Sequence, residues 1–263
     1  MDVVILTSNR IGSASLHLEH ILKSDSINIK MVVLSLGEIP NKKKYFKRRF
    51  QKLRKVGILG AINGVRMRKW YTTKTFKYLD IAPIHSICEK HGVPFEEVPY
   101  INSNKTVELF KKSEALLGVS LGNPYIGRKI YNVPQKGMIN LHYEELPQYQ
   151  NAIGVVWQLY NLSSNTGYTI HQIDKHIDTG DILLCEKVPI TFQKTLEDTV
   201  AGTYAKVWLE SAEKLRLVLQ NFDDFVSKKK KQENGTKYTT PTIYQFCKIL
   251  LNHQKLRKNQ LYP

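Results

Sequence analysis

Two short apolar runs, residues 3–7 and 29–36, bracket a loop and one stretch of helical periodicity, and this opening restricts the chain to few folds. Ser8-Asn9-Arg10-Ile11-Gly12-Ser13 supplies a loop with an N-cap signal, and the spacing after it predicts a helix over 14–23. A strand, a helix and a second strand in succession favour a parallel sheet covered by helices. Further strands are expected at 94–98, 115–121 and 138–142, with helices at 81–90 and 107–112 between them. A helix over 153–162, strands at 168–173 and 182–188, and a long amphipathic helix over 196–221 follow. The expected architecture is α/β: a Rossmann-like core with a largely parallel sheet over 1–190, then a C-terminal helix and small appendage over 191–263.

Composition narrows the function classes. The chain has 263 residues, and no apolar run reaches the roughly 20 residues of a membrane-spanning helix. The N-terminus enters a strand without the basic region of a signal peptide, so a cytoplasmic protein is expected. Cys88, Cys185 and Cys247 are scattered and odd in number, which fits neither a metal site nor a disulfide framework. The formal charge is +16, and no acidic residue occurs between Glu38 and Asp80. Lysines and arginines crowd residues 42–74, interleaved with Tyr45, Phe46, Phe50, Leu53, Val56 and Leu59 at helical steps. Gly57, Gly60 and Gly64 are expected to break that helix. The segment has three readings: a solvated helical face, a surface for the diphosphate of a nucleotide-sugar, or a nucleic-acid contact.

Two segments carry chemistry. In Asn140-Leu141-His142 the polar residues stand at i and i+2, so a strand presents both on one face. Thr169-Ile170-His171 leads into a turn-rich loop, Asp178-Thr179-Gly180-Asp181, and Asp178 follows His142 by 36 positions. Each piece has a plain alternative: Asn140 and His142 as polar residues at a sheet edge, Asp178 as a turn residue. His171 reads as a strand residue and His176 as a solvated loop residue. Ser8–Ser13 could cradle a phosphate, or simply turn a strand into a helix.

Taken in order, Asn140-Leu141-His142, Leu146-Pro147, Thr169-Ile170-His171 and Asp178-Thr179-Gly180-Asp181 resemble the folate-dependent formyltransferase family. That family includes glycinamide ribonucleotide formyltransferase, methionyl-tRNA formyltransferase and the sugar-nucleotide N-formyltransferases. The resemblance covers residues 116–190 well and the first βα units loosely. It implies formyl transfer from 10-formyltetrahydrofolate to an amine, with Asn140, His142 and Asp178 as the catalytic set and no metal. A tetrahedral oxyanion needs prepositioned donors, which Asn140 and His142 can supply. Asp178 is placed to orient the ring or a water for proton transfer. The resemblance further implies folate contacts at Leu121, Gly122, Tyr125, Asp174 and Ile177.

This chain departs from the family pattern on the acceptor side, and on the folate side Gly122-Asn123-Pro124-Tyr125 stands where Tyr-Gly-x-Ile-Leu-Pro is common. Tyr143-Glu144-Glu145-Leu146-Pro147 replaces the common Pro-Ser-Leu-Leu-Pro, and Gln150-Asn151 replaces Arg-Gly. The segment after residue 190 is too short for the C-terminal barrel of methionyl-tRNA formyltransferases, and the first loop is a poor version of the glycinamide ribonucleotide type. Sugar-nucleotide N-formyltransferases are the best match. They imply a nucleotide-linked amino-deoxy sugar as partner, with Tyr149, Asn151 and Trp157 as acceptor contacts and a surface polysaccharide as destination. No nucleic-acid or membrane partner is expected, and a homodimer is. The alternatives are a methionyl-tRNA formyltransferase and a basic nucleic-acid-binding module on the same fold.

Overall fold

The apolar runs assemble into one seven-stranded sheet in the computed structural model, which describes residues 1–261. The order along the chain is β1 (Asp2–Thr7), α1 (Ser13–Ile21), β2 (Asn28–Ser35), α2 (Lys42–Arg68), two 3-10 turns (Lys69–Tyr71 and Thr75–Tyr78), α3 (Ile84–Lys90), β3 (Phe95–Val98) and α4 (Asn104–Ser113). There follow β4 (Leu117–Leu121), α5 (Arg128–Tyr131), β5 (Met138–His142), α6 (Val156–Tyr160), β6 (Asn165–Gln172) and β7 (Ile182–Pro189). The chain closes with α7 (Leu196–Gln220), α8 (Phe222–Ser227) and α9 (Ile243–Leu261).

Spatially the strands run β3-β2-β1-β4-β5-β6-β7. The first five are mutually parallel, as expected, and β6 and β7 are antiparallel. Strand order reverses direction between β1 and β4, which makes their carboxyl ends the switch point where such sheets bind ligands. Asn123 knits that point together: its amide donates to the Leu6 carbonyl at 2.6 Å and accepts from the Ser8 hydroxyl at 2.9 Å.

Both sheet faces are buried, which is why the parallel strands read as continuous apolar runs rather than alternating ones. Val3 and Ile5 of β1 face α1, α3 and α7, while Val4 and Leu6 face α4 and α5. Residues beyond 190 do not pack as a separate unit. Val207, Leu215, Val218 and Leu219 of α7 and Phe222 of α8 share a core with Val3, Val119 and Ile139.

The basic segment differs from expectation. Gly57 alone leaves helical geometry, at φ 75° and ψ 165°, and kinks α2. Gly60 and Gly64 stay helical because their bare faces admit the C-terminal segment. A Cβ on Gly60 would lie 3.1 Å from the Pro241 carbonyl, and one on Gly64 would lie 2.5 Å from the Thr240 methyl.

Candidate active site

β5 alternates strictly. Ile139 and Leu141 enter the core under α7, and Met138 enters the opposite core under α5. Asn140 and His142 share the face of Met138 but lie beyond the reach of α5, at the open carboxyl end of the sheet. The register then fixes their neighbours: Asn140 pairs with Ser120 on β4 and with His171 on β6, and His142 pairs with Thr169. His171 therefore belongs to the site, contrary to its reading as a mere strand residue.

Hydrogen bonds assign the proton positions. His171 Nδ1–H donates to the Gln172 carbonyl at 2.9 Å. Its Nε2 is then a lone pair, and it accepts from the Asn140 amide at 3.2 Å. Burial pushes the His171 ring down to about 4, so it is neutral at pH 7; the carboxylate of Asp178 acts in the opposite direction but does not win. Asn140 thus has one N–H tied back to His171 and one left for the cavity. His142 Nε2–H donates to the Tyr149 carbonyl at 3.0 Å, which leaves Nδ1 on the cavity side.

The β6–β7 connection brings in Asp178. Asp174 braces this loop by accepting from Thr179 Oγ1 at 2.8 Å and from the His176 N–H at 2.9 Å. Gly180 lets it fold back onto β6, since a Cβ there would sit 1.9 Å from the Gln172 carbonyl. Asp178 adopts a left-handed backbone, φ 55°, an uncommon state for a non-glycine residue and one often found at functional sites. Its Oδ2 accepts from the Asn151 N–H at 2.9 Å and lies 3.7 Å from His142 Nδ1. Its Oδ1 lies 3.7 Å from His171 Nε2. Those two separations are longer than hydrogen bonds, and catalytic contacts of this kind tighten when substrate binds.

These groups open on a cavity of about 1300 Å³. Gly122, Tyr125, Asn151, Asp174 and Ile177 line it, together with Asn140, His142, His171 and Asp178. Leu121, Tyr149 and Trp157 do not. Leu121 is fully buried in the core beneath α1 and α7. Tyr149 stacks on Tyr238 at 5.4 Å, and Trp157 packs on the same ring while donating to the Thr239 carbonyl. Tyr149 and Trp157 thus hold the C-terminal segment in place, and that segment brings Thr239 and Thr240 to the cavity wall. The Ser8–Ser13 loop does not line the cavity either, so its phosphate reading gains no support.

The wall has two further parts; sequence reasoning missed the first and offered the second, as a diphosphate surface, among three readings of the basic segment. Tyr71, Tyr143, Glu144 and Tyr204 line one part of it, all shielded enough that burial raises their ionisation well above the usual range. Opposite the strand ends, α2 supplies Phe46, Phe50 and Leu53 with Arg49, Lys52 and Arg68. Lys52 is pulled below the ordinary lysine range by partial burial and by the positive charges of Arg68 and Arg49. None of these three cations forms an ion pair with a carboxylate among the described residues.

The formyl transferase family model matches residues 123–207, a span that contains Asn140, His142, His171 and Asp178. A methionyl-tRNA formyltransferase of Thermotoga maritima is 29% identical over 141 residues, covering 51% of this chain and 44% of that protein. The chain spans about half the length of the curated relatives it matches. Among solved structures, a sugar N-formyltransferase from a Shewanella species superposes with a TM-score of 0.56 at 16% identity, covering 96% of this chain and 87% of the other. An N-formyltransferase of Helicobacter canadensis, solved with folinic acid and dTDP-3-aminofucose, gives 0.52 at 17% identity, covering 92% and 72%. These likenesses share the fold, and the formyl transferase match covers the strand-end cluster of Asn140, His142, His171 and Asp178, so the chain resembles formyl transferases over that span.

Proposed function

We propose that the chain transfers a formyl group from 10-formyltetrahydrofolate to the amine of a nucleotide-linked amino-deoxy sugar, in the cytoplasm and for surface polysaccharide synthesis. One observation carries the choice of acceptor. The cavity that holds Asn140, His142 and Asp178 also holds Arg49, Lys52 and Arg68, three cations without carboxylate partners among the described residues. A diphosphate is the anion such a cluster suits. The sugar N-formyltransferases among the solved structures support the same reading, including the one solved with folinic acid and a dTDP-amino sugar. A 4-amino-4,6-dideoxyhexose is the proposed sugar.

The cavity fits the donor as well as the acceptor. Its volume exceeds the roughly 300–1000 Å³ of a pocket for one drug-sized ligand. Tyr125, Ile126, Ile173 and Ile177 give it an apolar wall for a flat ring, closed where the Tyr125 hydroxyl donates to the Lys175 carbonyl at 3.3 Å. The donor supplies the formyl carbon; this chain's residues stabilise and move charge around it. The free N–H of Asn140 would donate to the oxygen on which negative charge develops, a contact whose loss typically costs ~10²–10³ in rate. His142 Nδ1 and Asp178 Oδ2 would take the proton that leaves the attacking amine and pass it on to the donor nitrogen that leaves. Neutral His171 keeps the Asn140 amide in its donating orientation.

A second reading is transfer to methionyl-tRNA. It is favoured by the curated relatives and by the basic helix. A coupled assay of tetrahydrofolate release against amino-sugar nucleotides, glycinamide ribonucleotide and charged initiator tRNA separates the readings. Turnover is expected on an amino-sugar nucleotide. Turnover confined to tRNA would replace the sugar by RNA as acceptor.

A further inference from the structure

The half of α2 after the Gly57 kink is amphipathic the wrong way round for a helix that ends in solvent. Its packed face is Gly60, Asn63 and Met67, set against the C-terminal segment and the aromatic core around Trp70. Its opposite face is a stripe of aliphatic residues at i, i+1 and i+4: Ile58, Leu59 and Ile62, exposed to 70%, 61% and 62%. None of the three lines the cavity. Before the kink, Phe46 and Phe50 are likewise more than half exposed. Over its whole length α2 carries eleven lysines and arginines and no acidic residue; nine precede the kink, and eight of the eleven lie outside the cavity. Among the described residues none of the eleven is paired with a carboxylate.

A covering partner must therefore satisfy two demands at once. It must accept aliphatic side chains, and it must be anionic. A second copy of this chain meeting α2 across a two-fold axis fails the second demand, because it would bring a second helix with cations and no carboxylate against the first. A nucleic acid fails the first: phosphates suit the cations and bases can stack on Phe46 or Phe50, but nothing on a strand buries Ile58, Leu59 and Ile62. An anionic bilayer surface meets both. An amphipathic helix lying in the interface buries its apolar residues roughly 5–10 Å into the head-group boundary and sets its cations against acidic lipids.

We propose that α2 is an interfacial membrane-docking helix that seats this protein on an anionic bilayer through Ile58, Leu59 and Ile62 and through the cations of α2, most of them before the kink. The chain lies on the surface rather than spanning it, since no helix among the described residues is long and apolar enough to cross a membrane. The sequence expectation of no membrane partner rested on the lack of a spanning run, and an interfacial helix requires none. Docking would also set the cavity mouth, where Phe46 and Val65 form part of the rim, beside the head groups.

The test is co-sedimentation of the full chain with vesicles of mixed phosphatidylglycerol and phosphatidylcholine, against pure phosphatidylcholine. Binding to the anionic vesicles is expected, weakened by salt but surviving it in part because the aliphatic contribution is not screened. The double variant Ile58→Asp, Ile62→Asp should partition more than about tenfold more weakly. It should melt at the parent temperature, since both side chains are exposed. No binding to anionic vesicles would overturn the proposal, as would binding that the double variant leaves unchanged and salt abolishes. A dimer in solution that the variant dissociates would assign the stripe to a second copy instead.

Discussion

On one side of the cavity, Asn140, His142 and His171 stand on adjacent strands whose opposite faces are buried between helices. On the other, Arg49, Lys52 and Arg68 project from a helix of 27 residues in which four are buried. Strand ends fixed by a two-sided core hold side chains to the tolerance that proton transfer and oxyanion stabilisation require. A long charged side chain on an exposed helix tolerates error, because it has only to meet an anion. The two walls should therefore fail in different ways when mutated, the strand wall in turnover and the helix wall in substrate affinity.

The largest effect is expected at the strand wall. His142→Ala and Asp178→Asn should each lower kcat by about 10²–10³ with little change in acceptor KM, because both groups act on charge that develops during transfer. Steady-state kinetics with the melting temperature as a folding control reads this directly. A loss of only a few-fold in either variant would remove the pair from the chemistry and leave the cavity as a binding site.

A smaller and different effect is expected at the helix wall. Lys52→Ala with Arg68→Ala should raise KM for a phosphate-bearing acceptor by about tenfold or more, in line with the loss of charge-assisted contacts, while kcat stays within about twofold. The dependence of KM on salt should flatten at the same time. If kcat fell and KM did not, the helix would be part of the chemical step and the contrast between the walls would be false.

The same contrast explains what the sequence made legible. Apolar runs and the i, i+2 pair Asn140 and His142 depend on strand periodicity, which is local, so β1, β2, β5 and the core of the site could be read. His171 could not, because its place beside Asn140 follows from the antiparallel register of β5 with β6, and a register is not written in either strand alone. Gly60 and Gly64 read as helix breakers by propensity; contact with Thr240 and Pro241, far along the chain, overrides it. Tyr149 and Trp157 look like ligand contacts until Tyr238, from the C-terminal segment, takes their faces. The expected helix over 153–162 begins only at Val156, because Val155 takes a left-handed backbone at φ 68°.

The smallest expected effect concerns stability, and it too should trace to the strand wall. Glu144, two residues past His142, is 1% exposed; Gln158 donates to its Oε2, and its Oε1 has no partner among the described residues. Burial holds this carboxyl well above the usual carboxylate range, with only partial relief from Gln158. In the unfolded chain it ionises near the ordinary value of about 4.3. Between that value and the raised native one, the folded state binds the extra proton, so stability falls as pH rises through the window. Glutamine cannot ionise in either state. Glu144→Gln should therefore melt above the parent at pH 8, by about 2–4 °C for each kcal/mol relieved in a chain of this size, with the gap closing toward pH 5. His171, held down to about 4, works on the acid side, where stability is lost as pH falls from about 6.5; parent and variant share it, so it cancels in the difference. A variant that melts below the parent at pH 8 would mean that Glu144 is ionised in the folded protein. The strand wall would then hold a buried negative charge facing the cations of α2 across the cavity, and the two walls would be electrostatically coupled rather than independent.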